Sequence, residues 1–166
     1  MMSMFNRLGQ SVAAAMLVVG ATLAGGCGTT SAPRLEHAAA TVSGRTADGV
    51  AMLFTLDAFN DNDIALPLRD IRYTLSLNGR DVFRGTRSAE ATLRRNGVQQ
   101  LRLPAVVSLG PSDAAPTGVM DFRLRGTMTY VTPGKIAELL FDTGVRVPSA
   151  GFETTGQIDL GDAGTR

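Results

Sequence analysis

The chain has 166 residues, of which 44% are hydrophobic and 19% charged, and its formal net charge is +1. This composition is typical of one globular domain and excludes an intrinsically disordered chain. The balanced charge and sparse aromatic residues argue against a nucleic-acid-binding surface, and a single Cys with a single His excludes a zinc site built from several such ligands.

Residues 1–26 have the features of an export signal. Arg7 precedes an apolar run, Val12–Ala24, that is shorter than a membrane-spanning helix requires. The run ends in small residues directly before Cys27, the single cysteine of the chain. Small residues before a lone Cys resemble the bacterial lipobox. The resemblance implies that residues 1–26 are a lipoprotein signal peptide and that Cys27 is lipidated.

Lipidation of Cys27 predicts a protein anchored in a membrane of the cell envelope. Gly28 stands where an Asp retains lipoproteins of the enteric type at the inner membrane, which favours the outer membrane, facing the periplasm. Residues 27–40 are predicted to be a flexible tether, because they begin with small polar residues and have no periodicity. His37 lies in this stretch and is expected to be a solvated linker residue rather than a catalytic or metal-binding one.

From Val50 onward the dominant hydrophobic period is two, which indicates β-strands. Three segments place on one face Met52, Phe54 and Leu56; Ile71, Tyr73, Leu75 and Leu77; and Met120, Phe122, Leu124, Met128 and Tyr130. Asn78-Gly79 and Asn96-Gly97 predict hairpin turns, and Pro104 predicts an edge strand or a bulge. The last strands are predicted over 136–141 and 152–160, although 136–140 also fits one turn of helix.

About seven short strands separated by turn signals predict an all-β fold, an antiparallel β-sandwich with polar outer faces. The sandwich domain is assigned to residues 41–160, after the signal peptide with its helix and the tether. Residues 161–166 are assigned as a C-terminal tail.

The order of motifs after the first of these strands matches a known family. It comprises Asn60-Asp61-Asn62, Pro67-Leu68, Tyr73, Asn78-Gly79 and Gly85. It resembles the late-embryogenesis-abundant type 2 family, also called the water-stress and hypersensitive-response (WHy) domain, whose first motif is Asn-Pro-Asn. Leu124-Arg125-Gly126-Thr127, and Pro133-Gly134 before Phe141-Asp142-Thr143-Gly144, resemble the second half of the family, so that the resemblance covers residues 45–160. The resemblance implies a fibronectin type III or immunoglobulin-like sandwich, an association with desiccation, osmotic or cold stress, and no catalytic residue.

The acidic and amide side chains between Asp57 and Asp70 admit two interpretations. Calcium is bound by six to eight oxygens, but the spacing fails the EF-hand pattern because Leu66 stands where Gly is needed. Asn60, Asp61 and Asn62 are therefore expected to form an Asx turn. Structural roles in turns and strands are also assigned to Pro67, Asn78, Gly79 and Gly85. Arg87, Arg94, Arg95 and Arg102 are expected to lie on a solvated face rather than to bind phosphate or lipid headgroups.

No pattern in the chain predicts catalysis, a cofactor or a metal. A Ser–His–acid site would depend on His37, and no glycine-rich phosphate loop occurs. The sequence thus predicts a lipid-anchored envelope protein with a non-catalytic, stress-protective domain that binds protein clients. The alternative is a structural or accessory docking subunit of an envelope complex. A small-ligand carrier is a third class, and it would need a pocket in the sandwich.

Overall fold

The computed structural model describes residues 30–46, 48–109 and 116–161, which form eight β-strands and one short helix. The predicted signal peptide, Cys27 and Gly28 lie outside the described residues, as do the side chains of His37 and Ala38. In chain order the elements are β1 (Arg34–Thr46), β2 (Gly49–Asn60), β3 (Leu66–Leu77), β4 (Arg80–Ser88), β5 (Thr92–Leu93), β6 (Gly97–Ser108), β7 (Val119–Tyr130), α1 (Lys135–Asp142) and β8 (Ser149–Asp159).

The strands form two antiparallel sheets packed as a sandwich. One sheet has the order β1-β2-β6 and the other β4-β3-β7-β8, with β5 paired to the first two residues of β3. The all-β sandwich predicted from the period of two is therefore confirmed. Pro104 lies in β6, an edge strand, as the sequence predicts. No helix among the described residues is long and apolar enough to cross a membrane.

The alternating apolar residues form the core between the two sheets. Every second residue of β2, from Val50 to Asn60, is buried. Phe54 of one sheet meets Phe122 of the other edge-on, with ring centroids 5.2 Å apart. The Tyr73 hydroxyl donates a hydrogen bond to the carbonyl oxygen of Pro104 and so joins β3 to β6. The sheets are thus held together by both apolar packing and a polar bridge.

Two glycines of β7 and β8 lie under aromatic rings of the neighbouring strand. Gly126 is opposite Phe152, and Gly156 is opposite Phe122. A Cβ atom on Gly126 would come within 2.7 Å of the Phe152 ring, and one on Gly156 within 2.9 Å of the Phe122 ring. Each ring covers a glycine across the strand pair, so a larger residue at either position would displace it.

β1 begins at Arg34, seven residues before the domain start predicted at Thr41. It pairs with β2 from Arg34, opposite Phe59, to Thr46, opposite Gly49. The pairing shifts register between His37 and Ala39 and again between Val42 and Gly44. Each extra residue moves the following side chains to the other face. These shifts and the three consecutive alanines removed the alternation by which the strand could have been recognised.

The segment expected to be a strand over 136–141 is a helix. Its residues include Ala137, Glu138, Leu139 and Leu140, which favour helix strongly, and it follows the Pro133-Gly134 turn. The Glu138 carboxylate accepts a hydrogen bond from the Gly134 amide at 3.4 Å. The helix propensity of these residues therefore outweighs the short apolar run that predicted a strand.

The Asn96-Gly97 turn does not join two paired strands. β5, which precedes it, pairs with β3, whereas β6, which follows it, pairs with β2. Asn96 has a φ of 45°, as a tight turn requires. The chain passes from one sheet to the other here, so the hairpin expected around this turn is absent.

Candidate functional site

Most of the polar residues singled out in the sequence lie at one end of the sandwich. At this end β1, β3, β6 and β8 begin and β2, β4 and β7 finish, since Arg34 pairs with Phe59 and Ser149 with Thr129. It carries the loop 61–65, the crossing segment 89–96 and the segment 131–148 with α1. We call it the tethered end, because the chain from residue 30 enters β1 there.

Asn60 is the centre of the tethered end. Its side chain is fully buried, and its Nδ2 donates to the carbonyl oxygens of Ile64 at 2.8 Å and Arg94 at 3.0 Å. Its Oδ1 accepts from the backbone amide of Asn62 at 3.1 Å, the geometry of an Asx turn, and from the Asn62 side chain at 2.7 Å. One amide thus ties the loop after β2 to the segment before β6.

Asn62 joins this loop to the segment that precedes β1. Its Oδ1 accepts from the amide of Ser31 at 2.8 Å, and its Nδ2 donates to the Ser31 carbonyl at 2.9 Å. Its own carbonyl accepts from the amide of Asn96 at 2.8 Å. The loop between β2 and β3 therefore fixes the direction in which the chain leads away from the domain.

Asp61, the residue that replaces the family's Pro, takes part in an exposed ion pair. Arg34 contacts two carboxylates: its Nε lies 3.3 Å from Asp61 Oδ2, and Arg34 Nη1 lies 2.7 Å from Glu36 Oε1. The hydrogen bond to Asp61 is the main reason that the pKa of Arg34 is raised. The Arg34 guanidinium also lies 5.1 Å from the centre of the Phe59 ring. Asp61 therefore has a cationic partner, which a bound metal would have to displace.

The described residues contain no group of three or more His, Cys, Asp or Glu side chains placed to hold a metal ion. Asp63 is exposed beside Asp61, whereas Asp57 and Asp70 lie in β2 and β3. The oxygen-rich segment is thus spread over a loop and two strands.

The hairpin residues singled out in the sequence lie at the opposite end. Asn78 and Gly79 have φ of 45° and 81° and form the turn between β3 and β4. Asn78 also exchanges hydrogen bonds with the backbone of Asp121, through its own amide at 2.9 Å and its Oδ1 at 3.1 Å. The structure does not bring this turn together with Asn60.

Gly85 lies in β4 and Pro67 at the start of β3, both in the second sheet. Gly85 lies opposite Tyr73, and a Cβ atom there would come within 2.7 Å of the Phe83 ring. The carbonyl of Pro67 accepts from the amide of Val131 at 2.9 Å, which fastens the start of β3 to the segment after β7. The motif residues are thus distributed as parts of the fold rather than collected in one pocket.

The four arginines form no single cluster. Arg94 and Arg95 lie in the turn before β6, at the tethered end, whereas Arg87 and Arg102 lie in β4 and β6. Arg87 Nη1 donates to the carbonyl oxygen of Arg102 at 2.9 Å. All four side chains are exposed.

A polar cleft of ≈ 580 Å³ opens near the hairpin end, lined among others by Ser76, Asp81, Arg123 and Arg125. Ser76 Oγ lies 2.6 Å from Asp81 Oδ1, and Arg125 Nη2 lies 3.2 Å from Asp81 Oδ2. The hydrogen bond from Ser76, reinforced by Arg125 and Arg84, lowers the pKa of Asp81. The carboxylate is therefore held ionised by its own neighbours, which does not suit a general acid.

The exposed apolar face of α1 is a feature that the sequence did not predict. Ile136 and Leu139 on the helix, and Val145 and Val147 after it, are all exposed. The only signal for it is the short run of helix-forming residues after Pro133-Gly134, which lacks the long stripe by which an amphipathic helix is recognised.

Comparison with known proteins points to one family. The model of the LEA_2 family, late embryogenesis abundant protein, matches residues 55–150, more than half of the chain. The match includes β3 to β7, the loop with Asn60 to Asn62 and the helix α1. No curated protein sequence matches the chain.

Two solved structures share the fold. The solution structure of AT1g01470 from Arabidopsis thaliana has a TM-score of 0.58 and 17% identity, with 81% of this chain and 88% of that chain covered. The solution structure of At2g46140.1, described as a late embryogenesis abundant protein, also has a TM-score of 0.58, with 21% identity and coverage of 79% and 72%. At these identities the similarity establishes the fold alone.

Proposed function

The chain belongs to the late embryogenesis abundant protein family, and from this premise we propose that it is a lipid-anchored envelope protein whose sandwich protects other proteins under water stress. Membership of the family indicates a stress-related, non-enzymatic role. The family match is the observation that carries the proposal. We further propose that the stress is desiccation, osmotic change or cold.

The anchor is proposed from the sequence. Cys27 follows small residues at the end of an apolar run, as in bacterial lipoproteins, and Gly28 favours the outer membrane on its periplasmic side. A lipid anchor contributes about 0.8 kcal/mol of membrane affinity per buried methylene, so several acyl chains would hold the protein firmly. The domain would then act close to the membrane surface.

The proposed mechanism is binding by the outer surface of a folded domain. The side chains that line the core are closely packed, whereas the outward positions of β6 and β7 carry exposed polar residues such as Gln100, Arg102, Arg123 and Arg125. The outward face of β7 also carries Asp121 and Thr127, so charges of both signs and a hydroxyl group lie on it. Such a surface can make many weak, reversible contacts with partly dehydrated proteins.

The alternative, a docking subunit of an envelope complex, has one observation in its favour. β6 is an edge strand and exposes two valines, Val98 and Val106. Pro104, between them, lacks the amide that a continuous added strand would need. Docking would therefore use side chains of β6 more than its backbone. Stoichiometric copurification with other envelope proteins would favour this alternative.

Membrane anchoring is tested by expressing the full chain and Cys27→Ala in a bacterium and separating membrane from soluble fractions. The unaltered chain is expected in the membrane fraction, with a mass that corresponds to cleavage before Cys27 plus the lipid. Cys27→Ala is expected to lack the lipid. A full chain that is soluble and unmodified would contradict the anchor.

Protection is tested by drying or freeze–thaw inactivation of a labile enzyme. The mature chain with Cys27→Ser is compared with albumin at equal mass, and Gly126→Ala, in which the fold is expected to be disrupted, is the matched control. We expect protection above that of albumin, lost in Gly126→Ala. Protection no better than that of albumin would contradict the stress-protective role, whatever the result for the anchor.

A further inference from the structure

The segment between β7 and β8 exposes an unusual number of large apolar side chains. Of the seven that the described residues expose, four lie within 136–147: Ile136 at 76%, Leu139 at 62%, Val145 at 73% and Val147 at 46%. We call these four residues the apolar patch. Single exposed apolar residues are common on protein surfaces, but four within twelve residues indicate a contact with a partner or a membrane.

The helix presents two apolar faces. Ala137, Leu140 and Phe141 have the spacing of one helical face and are half-buried. Arg69, near the start of β3, lies over the Phe141 ring at 5.8 Å. Ile136 and Leu139, three residues apart, share another face, which is open to solvent. The contact between Arg69 and Phe141 joins the first face to β3, whereas the side chains of the second face stay in water and contribute little to the fold.

The apolar patch lies at the tethered end. The segment that carries it is closed at its base by hydrogen bonds from Val131 to the Pro67 carbonyl and from Tyr130 to the Pro148 carbonyl. β8 starts directly after it and runs beside β1 in the same direction, so both strands start at this end. The patch and the entry of the chain are therefore on one side of the molecule.

The entry point also limits the distance to the anchor. Ser31 is fixed to Asn62 by two hydrogen bonds. Cys27 is four residues earlier, so its Cα lies at most about 14 Å from that of Ser31 even in a fully extended chain. A lipid on Cys27 would hold the tethered end next to the bilayer.

We propose that the apolar patch rests in the headgroup region of the same bilayer that holds the lipid on Cys27. The inference rests on the proposed anchor. It gives the domain a second membrane contact and one orientation, with the Asn78-Gly79 hairpin pointing away from the membrane. The occupant of the patch is thus a lipid surface.

The net charge of the mature chain indicates whether the lipid surface must be anionic. Removal of residues 1–26 takes away Arg7 and no acidic residue, so the mature chain has no net charge. The helix itself carries Lys135 against Glu138 and Asp142. Insertion of apolar side chains, rather than attraction to anionic headgroups, therefore accounts for the contact, and zwitterionic lipid is sufficient.

The test uses the mature lipidated chain in phosphatidylcholine vesicles. Ile136→Cys and Val119→Cys are each labelled with a fluorophore; Val119 is the matched control, because it is 63% exposed and lies at the opposite end. The lipidated Cys27 has no free thiol and does not take the label. Quenching is measured with phosphatidylcholine that carries a nitroxide on its acyl chain, and with iodide in the water.

The label at Ile136 is expected to be quenched by the lipid nitroxide and shielded from iodide, at a depth of about 5–10 Å, while the label at Val119 shows the reverse. Equal quenching at the two positions would overturn the inference. Shielding from iodide without quenching by the nitroxide would also overturn it, because protein would then cover the patch. A chain that fails to float with the vesicles, or that takes label on Cys27, would instead contradict the proposed anchor.

Discussion

Ser31 and Asn62 hold each other through two hydrogen bonds, one in each direction, although they are 31 residues apart in the sequence. Asn62 in turn donates to Oδ1 of Asn60, whose amide reaches Ile64 and Arg94. The segment before β1 is thereby fastened to the loop after β2 and, through it, to the approach to β6. The chain that precedes Ser31 therefore leaves the domain beside the loop after β2.

Asn62→Ala is expected to release the segment before β1. It removes two bonds to Ser31 and one side-chain bond to Asn60, each of which contributes about 0.5–1.5 kcal/mol. We expect hydrogen exchange at the Ser31 amide to become about tenfold faster. Gln157→Ala, which removes an exposed bond to Asp121 at the opposite end, is the control and should leave Ser31 unchanged. Unchanged exchange in Asn62→Ala would contradict the role of the pair.

Asn60→Ala is expected to lower the free energy of unfolding by about 2–4 kcal/mol, because it leaves partly buried carbonyl groups without a donor. Denaturant unfolding measures the change. Asn96→Gly is the control: Asn96 is exposed and has a φ of 45°, which glycine adopts easily, so its effect should stay below about 1 kcal/mol. Equal effects of the two substitutions would contradict a central role for Asn60.

The regular strands of the sandwich could be predicted from the sequence. Leu75 and Leu124 lie in segments that alternate strictly, and Phe54 lies in one whose alternation is interrupted by Leu53 and Phe59. All three are buried as expected. The alternation is visible because one face of each strand meets the core while the other meets water. The first strand could not be predicted, because its register shifts beside His37 and Val42 interrupt the alternation.

The tethered end could be predicted only in part. The pattern around Asn60 indicates a turn, but its bond to Arg94 joins residues 34 positions apart. That bond depends on the passage of the chain between the sheets before β6, which no local signal encodes. The exposed face of α1 could not be predicted either, because eight residues are too few to establish a helical period.

Gly126→Ala is expected to destabilise the domain by about 3 kcal/mol or more. Its Cβ would overlap the carbonyl oxygen of Arg72 and the Phe152 ring, and neither strand can move without loss of the pairing. Gly151→Ala in the neighbouring strand is the control, since the nearest atom to its Cβ is 3.9 Å away. Thermal unfolding of both variants gives the comparison. Similar melting temperatures for the two would contradict the close approach at Gly126.

Tyr73→Phe is expected to lower stability at neutral pH by about 1 kcal/mol, because it removes the hydrogen bond to Pro104. Burial raises the pKa of Tyr73 above its ordinary 10.0, although Arg87 opposes the shift. The unfolded chain therefore loses this proton first, and the stability is present below pH 10.0 and declines as the pH rises above it. Denaturant unfolding between pH 8 and 11.5 should give a shallower alkaline decline in Tyr73→Phe. Parallel curves would contradict the assignment.

A chain that begins at Thr41 is expected to be much less stable than one that begins at Thr30. The shorter chain lacks Arg34–Ala40, which pair with β2 up to Phe59 and include the partly buried Leu35. β2 would become an open edge over half its length, with unpaired amides and carbonyls beside the core. We expect a loss of at least about 3 kcal/mol, measured by thermal unfolding, and a tendency to associate, measured by size-exclusion chromatography. The chain from Thr30 keeps the whole of β1 and should remain monomeric with a sharp transition. Equal melting temperatures would mean that the first half of β1 contributes nothing to the fold, and the domain would then begin near Thr41.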